Sequence, residues 1–281
     1  MLLTLLTLTA SAAELDSLSL SAMSDWGNAP YNNSKSIGVA YDKVVRQLGA
    51  AIANRPVAPV RSLGLHGGEI SLRNTITVLD SSVRLDGSPS PWALMTPDEN
   101  HMGALWIPEV NIRKGLPLST EFGMKMGYIG NSRQGTFGGW GRCSFVEGYQ
   151  KSPDLALQIG YSGYTGNNEL ALGVMDVSLS IGKSFGIGPF STMNSSHITP
   201  YAAFGLLRYR AMPRISNSES DALGVYRISA FKASPDFTEG YSAFNTDAGL
   251  HIQSNDFFVS IGGYYTLQAT AGFNTQIGLI Y

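Results

Sequence analysis

The chain is short of charge, of cysteine and of long apolar runs. Only 14% of its 281 residues are charged, well below the roughly 25% of ordinary soluble domains. The 19 lysines and arginines nearly balance 21 acidic residues, so the basic face typical of nucleic-acid-binding proteins is not expected. The single cysteine, Cys143, excludes an intramolecular disulfide and a cysteine-based metal site. We expect Cys143 to be a buried or lipid-facing small residue.

The first residues are typical of an export signal. An apolar run from Leu2 to Leu8 precedes Ala10-Ser11-Ala12, a small-residue pattern of the kind that signal peptidases cleave. We predict a signal peptide over residues 1–13 and a loose segment, rich in Ser and Asn, over residues 14–34. Beyond residue 13 no apolar run approaches the roughly 18 residues of a membrane-spanning helix. The mature chain is therefore either soluble after export or crosses a membrane with strands.

One segment has the period of a helix. Tyr41, Val44, Leu48 and Ile52 recur at three- and four-residue spacing, which predicts an amphipathic helix within residues 35–55. It ends before Pro56, because the residue before a proline is disfavoured in a helix. If the strands described next form a barrel, this helix either plugs it or lies on its periplasmic side. A simple anchor for the N-terminus is the third interpretation.

From residue 60 onward the period is two, as in half-buried strands. Phe122, Met124 and Met126, for example, alternate with Glu121, Gly123 and Lys125. A change of phase near Val174–Met175 predicts a bulge. The two longest connections, residues 80–101 and 211–239, fall at the same end of the strands. The predicted strands are 60–79, 102–114, 117–130, 134–147, 153–164, 168–185, 197–210, 240–253, 256–267 and 269–281.

These strands favour a membrane barrel over a soluble sandwich, because their second face is mostly Gly, Ser, Thr and Asn. A transmembrane barrel has strands of about ten residues, an even strand number, short periplasmic turns and long outer loops. We therefore predict an all-β fold, a closed antiparallel transmembrane β-barrel of about ten strands (ten or twelve) over residues 56–281, in the cell outer membrane. The aromatic residues expected in its interfacial girdle are Trp106, Tyr128, Trp140, Tyr161, Tyr201 and Tyr209.

The C-terminal "GFNTQIGLIY" predicts the closing strand. Asn274 and Gln276 are expected to point inward. The alternation before a final aromatic resembles the C-terminal signal of bacterial outer-membrane barrels, so the barrel assembly machinery is an expected partner besides the lipid bilayer. Deleting Tyr281, or replacing it with a charged residue, should impair assembly. The lipid-facing residues of this assembly signal are Phe273, Ile277, Leu279 and Tyr281.

Two further stretches carry a resemblance. "WIPEVNIRKGLPLSTEFGMKMGYI" and "SPDLALQIGYSGYTGNNELALGVMDVSLSIGKSFGIG" resemble segments of an uncharacterised family of outer-membrane β-barrel proteins from deltaproteobacteria. "VVRQLGAAIANRPVAPVRSLGL" resembles the helix that leads into the first strand of that family. The resemblance implies an outer-membrane location, and it implies no catalytic residue or substrate.

Charged residues on the second face are candidates for the lining of the lumen. They form either a selectivity lining for small polar solutes or ion-paired packing of a narrow interior, since about eight strands already leave an interior nearly filled by side chains. In three pairs the two residues lie four apart on the same predicted strand: Glu69/Arg73, Glu109/Arg113 and Glu121/Lys125. The full set is Glu69, Arg73, Glu109, Arg113, Glu121, Lys125, Arg142, Asp176, Asp247 and His251.

No motif indicates an enzyme, a cofactor or a metal site. No serine lies in a G-x-S-x-G stretch, and no two histidines have metal-ligand spacing. His101 with Asp98 and Glu99 forms either a weak cation site or an ordinary exposed loop. We interpret the glycines of "HGGE" (66–69) as a strand irregularity. The expected function is a non-catalytic structural or surface-exposed role. A small channel or transporter for an unidentified solute is the alternative, and a soluble exported β-domain that binds a ligand is the third.

Overall fold

The computed structural model describes residues 18–21, 34–79, 90–95, 103–130, 132, 134–148, 152–187, 196–218, 225, 227–228 and 242–281. The predicted signal peptide, residues 1–13, lies outside this part of the chain. Neither helix within it is long and apolar enough to cross a membrane. In chain order the described elements are α1 (Ser34–Ile52), β1 (Gly68–Val78), α2 (Pro91–Met95), β2 (Ala104–Leu116), β3 (Thr120–Tyr128), β4 (Gly135–Val146), β5 (Asp154–Thr165), β6 (Leu170–Gly182), β7 (Phe185–Ile187), β8 (Ser196–Pro213), β9 (Ser242–Ser254), β10 (Phe257–Thr266) and β11 (Thr270–Ile280).

Ten strands close into one antiparallel barrel. β11 returns to pair with β1, from Glu69 opposite Ile280 to Thr77 opposite Gly272, and β6 pairs directly with β8. β7 is a three-residue strand beside the start of β8 and adds no wall strand. The predicted closed barrel with an N-terminal helix is confirmed, with ten strands and not twelve.

The two ends of the barrel differ in their connections. At the short-turn end β1 begins and β11 ends, and residues 117–119 and 255–256 make tight connections. At the opposite, long-loop end lie the two longest connections, residues 79–103 and 214–241, as the sequence predicts. In outer-membrane barrels the longer loops face the outside of the cell, which gives the orientation used below.

The outer face of the wall is apolar along every strand. Side chains at alternate positions point outward and are exposed, while their neighbours are buried inside. Such a large continuous apolar surface is not found on soluble monomers, and a closed barrel suits lipid because it leaves no unpaired strand edge. Cys143 lies on this exposed face. The larger outward side chains include Ile70, Leu72, Val110, Ile112, Phe122, Met124, Phe137, Leu157, Ile159, Leu179, Phe204, Leu206, Phe257, Ile261, Phe273, Ile277 and Leu279.

Two expectations about the strands need correction. Residues 60–67, predicted as the start of the first strand, precede β1. No bulge occurs near Val174–Met175, because β6 pairs there without interruption with both β5 and β8. Its inward face instead changes from apolar to polar between Val174 and Asp176. The register shift lies in β4, between Ser144 and Val146.

The predicted aromatic girdle is only half correct. Trp106, Tyr128 and Tyr161 point outward and are exposed. The other three aromatic side chains are buried inside: Trp140, Tyr201 and Tyr209. Each of them lies on the same strand face as the charged lumen residues; Trp140, for example, is two residues from Arg142. Because side chains two apart on a strand point to the same side, the period of two already places these three aromatics inside the barrel.

Candidate functional site

The lumen holds α1. The helix contacts strands on two opposite sides of the wall, β1, β2 and β11 on one and β5, β6 and β8 on the other. Gly49 faces the ring of Tyr209, and a Cβ at residue 49 would overlap that ring, so glycine permits this close approach. The helix buries Tyr41, Val44, Val45, Leu48 and Ile52 in one cluster with inward-facing wall residues, among them Leu105, Ile107, Leu170, Leu172, Val174, Leu207 and Tyr209. The apolar stripe that predicts the helix is therefore covered by the wall of the barrel itself.

At the long-loop end α2 contacts α1. Trp92 of α2 donates from Nε1 to Oε1 of Gln47, at 2.5 Å. The same Gln47 donates from Nε2 to the carbonyl oxygen of Ala269, at 3.1 Å, in the β10–β11 turn. One amide on the helix thus joins α2 to a hairpin of the wall.

Residues 18–21 also lie at the long-loop end. Asn167 donates from Nδ2 to the carbonyl oxygen of Leu18 at 2.7 Å, and the amide of Ser21 donates to Oε2 of Glu169 at 2.9 Å. Partial burial alone would raise the pKa of Glu169, but hydrogen bonds from Ser21, Leu20 and Ser19 outweigh it and lower that pKa below its usual value. Hydrogen bonds therefore fix residues 18–21 to the β5–β6 connection, although the sequence predicts a loose segment over residues 14–34.

After α1 the chain continues through the lumen to the short-turn end as residues 53–63, the threading segment. Arg142 donates from Nη1 to the carbonyl oxygens of Val57 (2.7 Å) and Pro59 (3.0 Å) and from Nη2 to that of Arg61 (3.1 Å). Ser144 donates to the carbonyl oxygen of Val60 at 2.9 Å. The wall therefore holds this segment largely through its main chain.

Hydrogen bonds between wall side chains and main-chain groups also fix the two ends of the threading segment. Lys125 donates from Nζ to the carbonyl oxygens of Ile52 (2.8 Å) and Ala53 (3.1 Å). At the other end, the amide of Leu63 donates to Oε1 of Glu121 at 2.6 Å. Main-chain groups that would otherwise be buried without partners are satisfied in this way.

All ten residues predicted to line the lumen point into it and are at most 6% exposed. Glu69, Arg113, Glu121 and Arg142 form one chain of ion pairs, in which Arg142 lies 2.5 Å and Arg113 3.4 Å from Oε2 of Glu121 and Arg113 also pairs with Glu69. The six others have these partners: Lys125 with Glu109 at 2.7 Å, Arg73 with Gln276 at 2.8 Å, Asp176 with Asn54 at 2.7 Å, Asp247 with Arg55 at 3.8 Å, and His251 with Ser260 at 2.7 Å.

The partners are not those suggested by four-residue spacing. Residues four apart on a strand are separated by about 13 Å, whereas directly opposed residues on neighbouring strands lie about 5 Å apart. Glu69 accordingly pairs with Arg113, its register partner on β2, and not with Arg73. Ion-paired packing is what this geometry provides; a selectivity role for these residues stays a prediction.

Sequence reasoning missed the two residues that join α1 to the charged part of the lumen. Asn54 donates to Asp176 and, at 3.3 Å, to the carbonyl oxygen of Gly139. The guanidinium of Arg55 lies 3.3 Å above the ring of Tyr264. The sequence feature that could have indicated this role is the polar pair Asn54-Arg55, which lies between the apolar end of the helix and Pro56.

Two glycines make room for Asn54. A Cβ on Gly138 or on Gly160 would lie within 3 Å of its side-chain amide. Both residues point inward on adjacent strands, so the absence of their side chains forms the recess that Asn54 occupies.

One pair in the lumen combines a serine with a histidine. Nδ1 of His251 lies 2.7 Å from Oγ of Ser260, and both residues are at most 3% exposed. In a catalytic triad the serine bonds Nε2 and a carboxylate holds Nδ1. Here Nε2 has no hydrogen-bond partner within the described part of the chain, so the triad geometry is not present at this pair.

The described residues contain no cluster of three His, Cys, Asp or Glu side chains that could hold a metal ion. His101, Asp98 and Glu99 lie outside the described residues. In "HGGE", Gly68 begins β1 and Lys114 donates to the carbonyl oxygen of His66 at 3.0 Å, so the two glycines mark the entry into the barrel.

The short-turn end contains an open cavity of about 670 Å³. It lies between the threading segment and the wall, and Arg61, Glu147, Asp154, His197 and Gln253 contribute to its lining. Ser62 of the threading segment donates to Glu147 at 2.6 Å. The segment therefore narrows this mouth of the barrel.

A closed antiparallel barrel with an apolar outer face defines an integral outer-membrane β-barrel protein, which confirms the lipid bilayer as its surroundings and the outer membrane as its location. No protein-family model and no curated protein matches the chain.

Solved structures similar to this chain are those of outer-membrane barrels. LpxR from Salmonella typhimurium shares 9% identity with a TM-score of 0.36, covering 76% of this chain and 99% of that one. Ail of Yersinia pestis shares 13% identity (TM-score 0.24, covering 76% and 98%). The transport unit of the autotransporter AIDA-I from Escherichia coli shares 6% (TM-score 0.34, covering 87% and 97%).

Proposed function

We propose that the protein is a non-catalytic outer-membrane barrel closed by its own N-terminal chain, with a structural or surface-exposed role. The observation that carries the proposal is the binding of Arg142 to the carbonyl groups of three alternate residues of the threading segment, Val57, Pro59 and Arg61. A pore that conducts polar solutes needs its charged lining free to meet them. Here the central charges are engaged by the chain and by one another.

The energetics support a plug that belongs to the native state. A buried ion whose partners are removed costs about 3–5 kcal/mol. Without α1 and the threading segment, Arg142 would lose its carbonyl partners and Lys125 would lose two of its own. The apolar cluster around α1 would lose its centre at the same time. The wall and the N-terminal chain therefore stabilise each other.

The route of the chain supports a surface-exposed role. Residues 18–21 are held at the long-loop end, and the threading segment leaves at the short-turn end. With the long loops outside, residues 18–21 are on the external side of the membrane. The barrel then presents these residues together with α2 and residues 214–218.

The absence of catalysis is part of the proposal. Its support is the inward orientation and burial of His251 and Ser260, which keeps this pair away from lipid and from external solutes.

Planar-bilayer recording tests the closed lumen. The full chain should show no steady conductance, and a variant that begins at residue 64, without α1 and the threading segment, should open a stable pore. A variant lacking only residues 14–33 is the matched control and should stay closed, because it keeps both elements. A steady current through the full chain would contradict the proposal, and so would a sealed barrel in the variant that begins at residue 64.

A channel is the second candidate function, favoured by one observation. Polar atoms of Gln158, Ser178 and Ser180 are buried on the inner faces of β5 and β6 without a hydrogen-bond partner among the described residues. Such groups are commonly satisfied by water, so a hydrated path along this wall would support passage of small solutes. Uptake of a small sugar by liposomes containing the full chain, with no uptake in empty ones, would favour the channel.

A further inference from the structure

The outward face of the barrel is nearly free of charge. Among the outward-pointing residues of the ten described wall strands, the charged ones are Lys114 near the short-turn end of β2 and Arg208 and Arg210 near the long-loop end of β8. Arg208 and Arg210 alternate with the buried Leu207 and Tyr209. Their direction is thereby fixed outward, away from the lumen.

The position of these arginines matches the level of lipid headgroups. An arginine on the lipid face costs about 2–4 kcal/mol at the bilayer midplane but only about 0–1 kcal/mol near the interface. Phe204 and Leu206 precede the pair on the same face, and β8 ends at Pro213. The exposed Arg214 follows directly. We call Arg208, Arg210 and Arg214 the rim arginines.

The rim arginines lack acidic partners within the described part of the chain, where the ion pairs all involve other residues. Arg208 and Arg210 are two residues apart on one face, a separation of about 7 Å. Nη2 of Arg210 has a long contact, 3.9 Å, to Sδ of Met212. Three positive charges thus lie together at this edge, and no carboxylate of the described residues forms an ion pair with them.

A hollow of about 360 Å³, lined by both polar and apolar groups, adjoins the rim arginines. Arg210 and Arg214 contribute to its lining together with Phe137, Tyr161, Gly163 and Gly173. Gly163 and Gly173 are register partners on β5 and β6, and the ring of Phe137 lies over the first and that of Tyr161 over the second, where a Cβ would otherwise lie. A basic edge next to exposed aromatic rings on a lipid-facing wall suits a molecule with an anionic head and an acyl chain.

We propose that this surface binds a phosphorylated lipid of the outer leaflet. The guanidinium groups of Arg208 and Arg210 bind phosphate oxygens, for which the planar fork of arginine is well matched. Arg214 adds charge at the edge of the membrane, and an acyl chain lies along the exposed rings of Phe137 and Tyr161. The proposal rests on the membrane location alone and is independent of whether the lumen is closed.

Lipid titration tests the proposal. The full chain, purified in neutral detergent, is titrated with a diphosphorylated glucosamine-based glycolipid in mixed micelles, and binding is read by native mass spectrometry. Arg208→Gln/Arg210→Gln should bind about tenfold more weakly, the equivalent of one strong charge-assisted contact. Lys114→Gln is the matched control, since it removes the remaining outward charge of the strands, and it should bind like the unaltered protein.

Two further arms identify the ligand chemistry. The same glycolipid without phosphates should bind about tenfold more weakly to the unaltered protein, and inorganic phosphate in excess should not displace the phosphorylated lipid. Equal binding by the double variant, equal binding of the dephosphorylated lipid, or displacement by phosphate alone would each overturn the proposal. Heat-modifiable mobility verifies folding, and Arg210→Gln replaces the double variant if that variant does not fold.

Discussion

Arg142 is the residue at which wall and plug meet. Its guanidinium contacts Oε2 of Glu121 and the carbonyl oxygens of three residues in the threading segment. Glu121 in turn accepts from the amide of Leu63. One side chain of β4 therefore connects the ion-pair chain of the wall to the main chain inside it.

Arg142→Ala should lower the free energy of unfolding by about 3–5 kcal/mol, because it leaves Glu121 and several carbonyl groups buried with fewer partners. Urea unfolding in detergent micelles measures the change. Lys114→Ala removes an exposed lysine from the adjoining part of the wall and should change the free energy by about 0–1 kcal/mol. Equal effects of the two substitutions would show that Arg142 does not hold the threading segment.

At this scale the sequence predicts which side chains point inward but not what they bind. The period of two assigned all ten lumen residues to the inner face, and the structure agrees. Their partners depend on strand register, which placed Glu69 opposite Arg113, and on Asn54 and Arg55 entering from another element. Neither can be obtained from spacing along a single strand.

Among the elements, α1 explains the composition of the wall. Wherever the helix packs, the inner faces of β2, β6 and β8 are apolar, as at Ile107, Val174 and Leu207. Beyond its end the inner faces of β2 and β6 become polar, as at Glu109 and Asp176. The apparent change of phase in β6 is this boundary. Sequence reasoning interpreted it as a bulge because the occupant of the lumen was not known.

A pair of substitutions within α1 tests its burial. Leu48→Asp places a carboxylate in the apolar cluster and should lower the free energy of unfolding by at least about 3 kcal/mol. Val39→Asp, at a position that is 57% exposed on the same helix, should change it by less than about 1 kcal/mol.

The thermal midpoint of heat-modifiable mobility measures both variants. A helix lying on the membrane surface or in solvent would tolerate Leu48→Asp as readily as Val39→Asp, and that result would contradict the lumen position.

On the scale of the whole molecule, ten strands form a closed barrel, and α1 and the threading segment pass through its lumen. The closing strand was predictable from the last ten residues, and its terminal residue is held at both main-chain groups. The amide of Gly68 donates to the carbonyl oxygen of Tyr281, and the amide of Tyr281 donates to that of Gly68, each at 2.9 Å. The role of Tyr281 in assembly remains a prediction.

The direction of the threaded chain was not predictable. The amphipathic pattern of α1 fixes which face is buried, but it does not say from which end the helix enters the lumen. That information lies in contacts between residues about 150 positions apart in sequence, such as Ser21 with Glu169. The sequence therefore predicts the closed barrel but not the direction in which the N-terminal chain passes through its lumen.

Cysteine labelling in intact cells tests the threaded path most directly. In a Cys143→Ala background, single cysteines are placed at Ser21, at Asn217 in the 214–241 connection, and at Asp256 in a short turn, all exposed positions. A membrane-impermeant maleimide should label residues 21 and 217 in intact cells, and residue 256 only after the outer membrane is opened. Labelling of residue 21 that requires opening, while residue 217 reacts in intact cells, would contradict a chain that enters the lumen from outside.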